Sequence, residues 1–141
     1  MFERLFKNYP LFKECVDDLQ AKILPLKESN EKHELFLKMF PISDWGKIDW
    51  SKIEKKQHIG CNPKAIVPVL GEILSNNNFD KNVYVTWSCS GPYVIQTNLN
   101  AIVEHFDSVT CVAFEKFIFN PTLGYIIEIR TGDDMTVGVI K

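Results

Sequence analysis

Apolar positions recur at helical spacing in the first half of the chain and at strand spacing in the second. From Leu11 to Leu24 they are Leu11, Phe12, Cys15, Val16, Leu19, Ile23 and Leu24, close to the i, i+3, i+4, i+7 pattern of an amphipathic helix. Pro10 suits the first turn of such a helix and Pro25 its end. A second helix is predicted over Glu31 to Phe40, with Leu35, Phe36, Met39 and Phe40 inward and Pro41 as the stop. A third opens with Asn62 as N-cap and Pro63 at its first position and runs to Leu74. Pro68 inside it predicts a kink or a broken start. The polar run SNNNFDKN marks the passage from helices to sheet.

Beyond it, VYVTW, YVIQT, SVTCVAF, FIF, GYIIEI and MTVGVI are rich in Val, Ile, Thr, Phe and Tyr and separated by SGP, NP and TGDD, the signature of strands joined by turns. One short helix, TNLNAIVEHF, is set among them, capped by Thr97 or Asn98 and burying Leu99, Ile102, Val103 and Phe106. Strands are predicted from Val83 to Trp87, Val109 to Phe114 and Phe117 to Phe119, and a hairpin pairs Gly124–Arg130 with Met135–Ile140 across TGDD. In that hairpin Tyr125, Ile127 and Ile129 share one face, and Ile126 and Glu128 the other. Both faces are largely apolar, so this strand is central, with helices on at least one side. The fold class is α+β: a helical N-terminal part (1–79) packed on a mostly antiparallel sheet from the C-terminal half (80–141), together one domain of 141 residues.

Charge divides unequally between these parts. Residues 1–79 carry 12 Lys/Arg and 11 Asp/Glu, net +1, whereas the remainder carry 4 and 7, net −3. The β-rich part therefore disfavours a nucleic acid as partner and suits a basic protein. Cys15, Cys61, Cys89 and Cys111 form no CxxC pair, and no signal peptide or membrane-spanning run is present, which implies free thiols in a reducing cytoplasm. Cys111, within VTCVAF, reads as a small core residue.

Between the second and third helices DWGKI is followed at once by DWSKI, Asp44 to Ile53. Its two Trp residues fit either an exposed recognition patch or an irregular segment pinned to the core by Trp45, Ile48, Trp50 and Ile53. The usual packing role of large aromatics favours the second. Lys52, Lys55 and Lys56, interrupted by Asp49 and Glu54, read as a solvated face. Candidate chemistry is sparse. His58 and Cys61 have a spacing that zinc could use, but no second pair completes four ligands. Cys89 activated by His105 would be a nucleophile only if the fold brought them together. Asp133-Asp134 after Thr-Gly is ordinary turn chemistry. No GxGxxG, Walker-type loop, GxSxG or HExxH occurs, so the reading is against an enzyme, with no cofactor and no metal.

The ordered string VYVTWS, YVIQTNLNAIVEHFDSVTCVAFEKFIFNP, GYIIEIRTGDDMTVGVIK resembles immunity proteins of contact-dependent growth inhibition systems, from about Val83 to Lys141, with FPISDWGKIDW as a weaker second part. The residues that carry the resemblance are Trp87, Thr97, Leu99, Phe106, Asp107, Val109, Phe114, Phe117-Ile118-Phe119, Pro121, Gly124-Tyr125 and Thr136-Val137-Gly138. It implies a cytoplasmic, non-catalytic antidote that binds the toxic C-terminal domain of a secreted effector, often a nuclease, and blocks or distorts its active site. A nuclease cleft is basic because it attracts phosphate, so a carboxylate-bearing surface can occupy it. Glu104, Asp107, Glu115, Asp133 and Asp134 are the candidate partner-binding residues, against the reading that each is a solubilising charge. The alternative function is a regulatory or scaffold module, unrelated to toxins, that binds another protein through the sheet edge or DWGKIDW.

Overall fold

A computed structural model describes residues 3–87, 93–113 and 115–140. Its strands are β1 (Lys22–Ile23), β2 (Lys55–Gly60), β3 (Asn82–Trp87), β4 (Ile95–Asn98), β5 (Lys116–Asn120), β6 (Tyr125–Ile129) and β7 (Met135–Val139). They form one sheet in the order β1-β4-β3-β5-β6-β7-β2, and every neighbouring pair is antiparallel. The helices are α1 (Glu3–Asn8), α2 (Pro10–Leu19), α3 (Leu26–Met39), α4 (Ile66–Leu74), α5 (Leu99–Glu104) and α6 (Phe106–Thr110). Helices lie mostly N-terminal and strands mostly C-terminal, so the α+β class holds.

The two apolar faces of β6 each have a cover. Tyr125, Ile127 and Ile129 join Phe12, Cys15, Ile66, Leu70, Leu99, Ile102 and Val109 in the larger core, under α2, α4, α5 and α6. Ile126 joins Phe117, Phe119, Phe36, Phe40, Ile48 and Ile53 in a second core, under α3 and the segment that follows it. Phe36 is the hub of that second layer, with ring centroids 5.1 Å from Phe117, 5.4 Å from Phe119 and 5.5 Å from Phe40. Each such buried side chain contributes about 1.5–3 kcal/mol, which is why α3 needs only one strongly apolar stripe to stay docked.

Capping follows the sequence closely. Pro10 occupies the first turn of α2. Asn98 caps α5 by accepting from the Ala101 N–H at 3.0 Å. Asn62 accepts from Lys64 N–H and opens a 3-10 turn, Pro63–Ala65, before α4 begins at Ile66. Pro68 then falls within the first turn of α4, where its missing N–H would have had no intrahelical partner. The expected broken start is this change from 3-10 to α geometry.

Three expectations are corrected. The helix predicted to Leu24 ends at Leu19: Gln20 turns left-handed (φ 51°), the Ala21 N–H closes on the Val16 carbonyl, and Ile23 is drawn into edge pairing with Ile95. The predicted strand from Val109 is the helix α6 as far as Thr110, because Leu99, Ile102, Phe106 and Val109 form one buried helical stripe that overrides β-branched propensity. Cys111 is consequently exposed at the end of that helix and is no core residue. Phe114 and Cys89 lie outside the described residues. The strand β2, which the sequence pattern did not suggest, pairs with β7 although most of its residues are exposed. Lysines at 55 and 56 on this outer strand discourage further pairing.

Gly138 in β7 sits under the second core's rim. A Cβ there would stand 2.8 Å from Trp50 Cζ3 and 3.0 Å from the Lys55 carbonyl oxygen. Neither neighbour is free to move, one being a ring anchored by its own hydrogen bond and the other β2 backbone. Gly138→Ala is expected to cost about 1–3 kcal/mol through overpacking, measured as a lowered urea midpoint with an unchanged slope.

Candidate functional site

Glu128 is a carboxylate in a central strand and is 1% exposed. Its oxygens accept from the Ile48 N–H at 3.0 Å, the Trp50 Nε1–H at 2.9 Å and Arg130 Nη1 at 2.8 Å. Arg130 extends this network to the β6–β7 turn: its Nε and Nη2 donate to one Asp134 oxygen at 3.1 and 2.7 Å, and Nη2 also to Thr136 Oγ1. Asp134 reaches back across to β2, with His58 Nε2 at 2.5 Å from its other oxygen. Burial alone would lower the Arg130 pKa, but its hydrogen bonds to Asp134 and Glu128 outweigh that and raise it. The same bonds from Arg130, then His58, hold the Asp134 carboxyl below its ordinary value. The hairpin tip is thus clamped.

Asp133, its neighbour, goes the other way. Its backbone is left-handed (φ 63°), a conformation Asp tolerates, and the tip closes through Asp133 N–H to the Arg130 carbonyl at 2.9 Å. Asp133 lines a concavity of about 530 Å³, across from Glu104, His105 and Asp107, with Cys61 and Phe106 also in the wall. The concavity exists because α5 and α6 do not merge. His105 (φ −117°, ψ 40°) breaks the helix and leaves a corner facing the hairpin tip.

Of the five carboxylates singled out in the sequence, the fold brings Glu104, Asp107 and Asp133 together. Asp134 is committed to Arg130 and His58. Glu115 is ion-paired with Lys47 at 3.5 Å. Near them Lys116 is 2% exposed, and burial pulls its pKa down against the attraction of Asp133, Cys111 and Glu115. His58 binds Asp134, and Cys61 Sγ lies 3.5 Å from the Gly132 carbonyl. Among the described residues no three His, Cys, Asp or Glu side chains are grouped to hold a metal ion. No helix among them is long and apolar enough to cross a membrane.

The two tryptophans of DWGKIDW part company. Trp50 is packed on Gly138 and bonded to Glu128, and Ile48 and Ile53 are buried as expected. Trp45, expected in the core, is 89% exposed instead. It stands at the outer end of a turn whose two flanks are held inward by Ile42 and Ile48.

A family model described as "CdiI immunity protein EcoliA0-like" matches residues 9–138, nearly the whole chain. The chain belongs to this family. No curated protein matches it. A CdiI immunity protein has as its partner the C-terminal toxin domain of the cognate CdiA, so the relevant chemistry is that of a protein-binding surface. The family match extends through the helical front, beyond the β-rich part from Val83 that carried most of the resemblance. Both DWGKIDW and Glu128 of this CdiI protein fall within the matched residues 9–138.

Glu128→Ala would leave Arg130 Nη1, the Ile48 N–H and the Trp50 indole N–H without this acceptor. It is expected to cost about 3–5 kcal/mol, read as a large drop in thermal midpoint. Asp134 carries a pH dependence of definite sign. Its folded pKa is depressed, so its stabilisation is present above the unfolded carboxyl value, about 4, and lost as pH falls through the folded value. Melting curves recorded from pH 7 down to pH about 3 should fall less steeply for Asp134→Asn than for the parent chain.

Proposed function

We propose that this CdiI protein neutralises a nuclease toxin domain in the cytosol, by placing its own carboxylates in the toxin's basic active cleft. The observation that carries this reading is the convergence of Glu104, Asp107 and Asp133, from two separate parts of the chain, on one concavity. A nuclease cleft presents cations spaced for phosphates, and carboxylates held on a rigid rim match it without the entropy loss of ordering a flexible segment. Glu115 precedes the buried Lys116, and Asp134 follows Asp133 in the hairpin tip. Their pairing with Lys47 and with Arg130 and His58 makes them supports of the charged surface more than free ligands. On this reading the protein has no catalysis of its own, takes no cofactor, and acts as one domain over residues 1–141.

The test is Glu104→Gln, Asp107→Asn and Asp133→Asn combined, co-expressed with the cognate CdiA toxin domain. These changes remove charge while keeping shape, and Asn is at home in the left-handed backbone of position 133. The triple variant is expected to keep its melting temperature, lose rescue of growth, and bind the toxin domain about tenfold or more weakly at low salt, with the deficit shrinking as salt rises. Unchanged affinity would remove these three carboxylates from the interface.

A further inference from the structure

Trp45 is the largest apolar side chain that the described surface leaves in solvent, 89% exposed where the next, Leu26, is 57% exposed. Its backbone is tightly held. The Gly46 N–H donates to the Ser43 carbonyl at 2.9 Å, the Ser43 N–H to the Lys47 carbonyl at 2.7 Å and the Asp49 N–H to the Pro41 carbonyl at 2.7 Å. Gly46 supplies the left-handed residue (φ 78°) that such a turn needs. The base of the turn is bolted to the sheet, since the Ile48 N–H ends on Glu128. An indole is thus presented on a rigid mount and contributes nothing to the core.

The mount is linked to the acidic concavity through Glu115 and Lys116. Lys47, two residues beyond Trp45, pairs with Glu115. Glu115 leads into Lys116, which Asp133 attracts from the edge of the acidic concavity. The turn, Glu115 and the hairpin tip therefore follow one another along a single end of the sheet.

We propose that Trp45 is the aromatic anchor of the toxin interface, inserting into an apolar socket of the cognate CdiA toxin domain beside the basic cleft that receives the carboxylates. The inference rests on the toxin domain being the partner. A rigid Trp suits this role because it brings a large apolar area at low cost in side-chain entropy, and such residues dominate binding energy where surrounding charges set only orientation and rate.

The experiment compares wild type, Trp45→Ala, Trp45→Phe and the triple acid variant for affinity to the purified toxin domain and for thermal midpoint. Trp45→Ala should weaken binding about tenfold or more, with Trp45→Phe between it and wild type, and neither should lower the melting temperature. Binding by Trp45→Ala within about twofold of wild type overturns the anchor. If the triple acid variant is weakened in that same comparison, the carboxylate reading survives alone. A wild-type chain that fails to bind the toxin domain overturns both.

Discussion

A single buried carboxylate organises this protein. Glu128 lies on β6, in an otherwise apolar layer, where an ionised group is tolerated only if its oxygens are fully hydrogen-bonded. Its donors come from Arg130, one residue past the strand, and from a segment 78 to 80 residues earlier, through Trp50 and Ile48. Satisfying that charge ties DWGKIDW to the sheet and brings Trp50 down onto Gly138. It also orients Arg130 toward Asp134, and through His58 locks the edge strand β2 to the hairpin tip. The anchoring of DWGKIDW and the shape of the hairpin tip both depend on this one constraint.

The consequence is that residues of the same type take different positions. Two adjacent aspartates at the hairpin tip have opposite fates because one is used as a ligand for Arg130 while a left-handed backbone turns the other into the concavity. Two tryptophans five residues apart differ in the same way, since only one finds an acceptor on the sheet. Rigidity and exposure then coincide on one end of the molecule. A surface that is ordered before it meets its partner gives up little entropy on binding.

Much of this architecture was legible in the chain. The period-2 runs of β3, β6 and β7 and the TGDD turn marked the hairpin and its neighbours, and Pro10, Asn62-Pro63 and Asn98 marked helix starts by local chemistry alone. The apolar character of both faces of β6 placed it centrally before any partner strand was known. The errors share a cause. Val109 and Thr110 have strand propensity but lie in α6, because burial beside Ile102 and Phe106 outweighs an intrinsic preference of less than about 1 kcal/mol per residue. The strand β2 is mostly polar and exists as a strand only because β7 offers it an edge.

By itself the sequence determined the α+β class, the central hairpin, the starts of α2, α4 and α5 and the set of candidate carboxylates, because each depends on local periodicity or on the chemistry of a few neighbouring residues. Only the tertiary structure decided which of those carboxylates face one another, which are neutralised by Arg130, His58 and Lys47, and which tryptophan stays in solvent. Those outcomes rest on contacts between residues far apart in the chain, such as His58 with Asp134 and Trp50 with Glu128. Neighbouring residues of identical type carry no local signal that tells them apart.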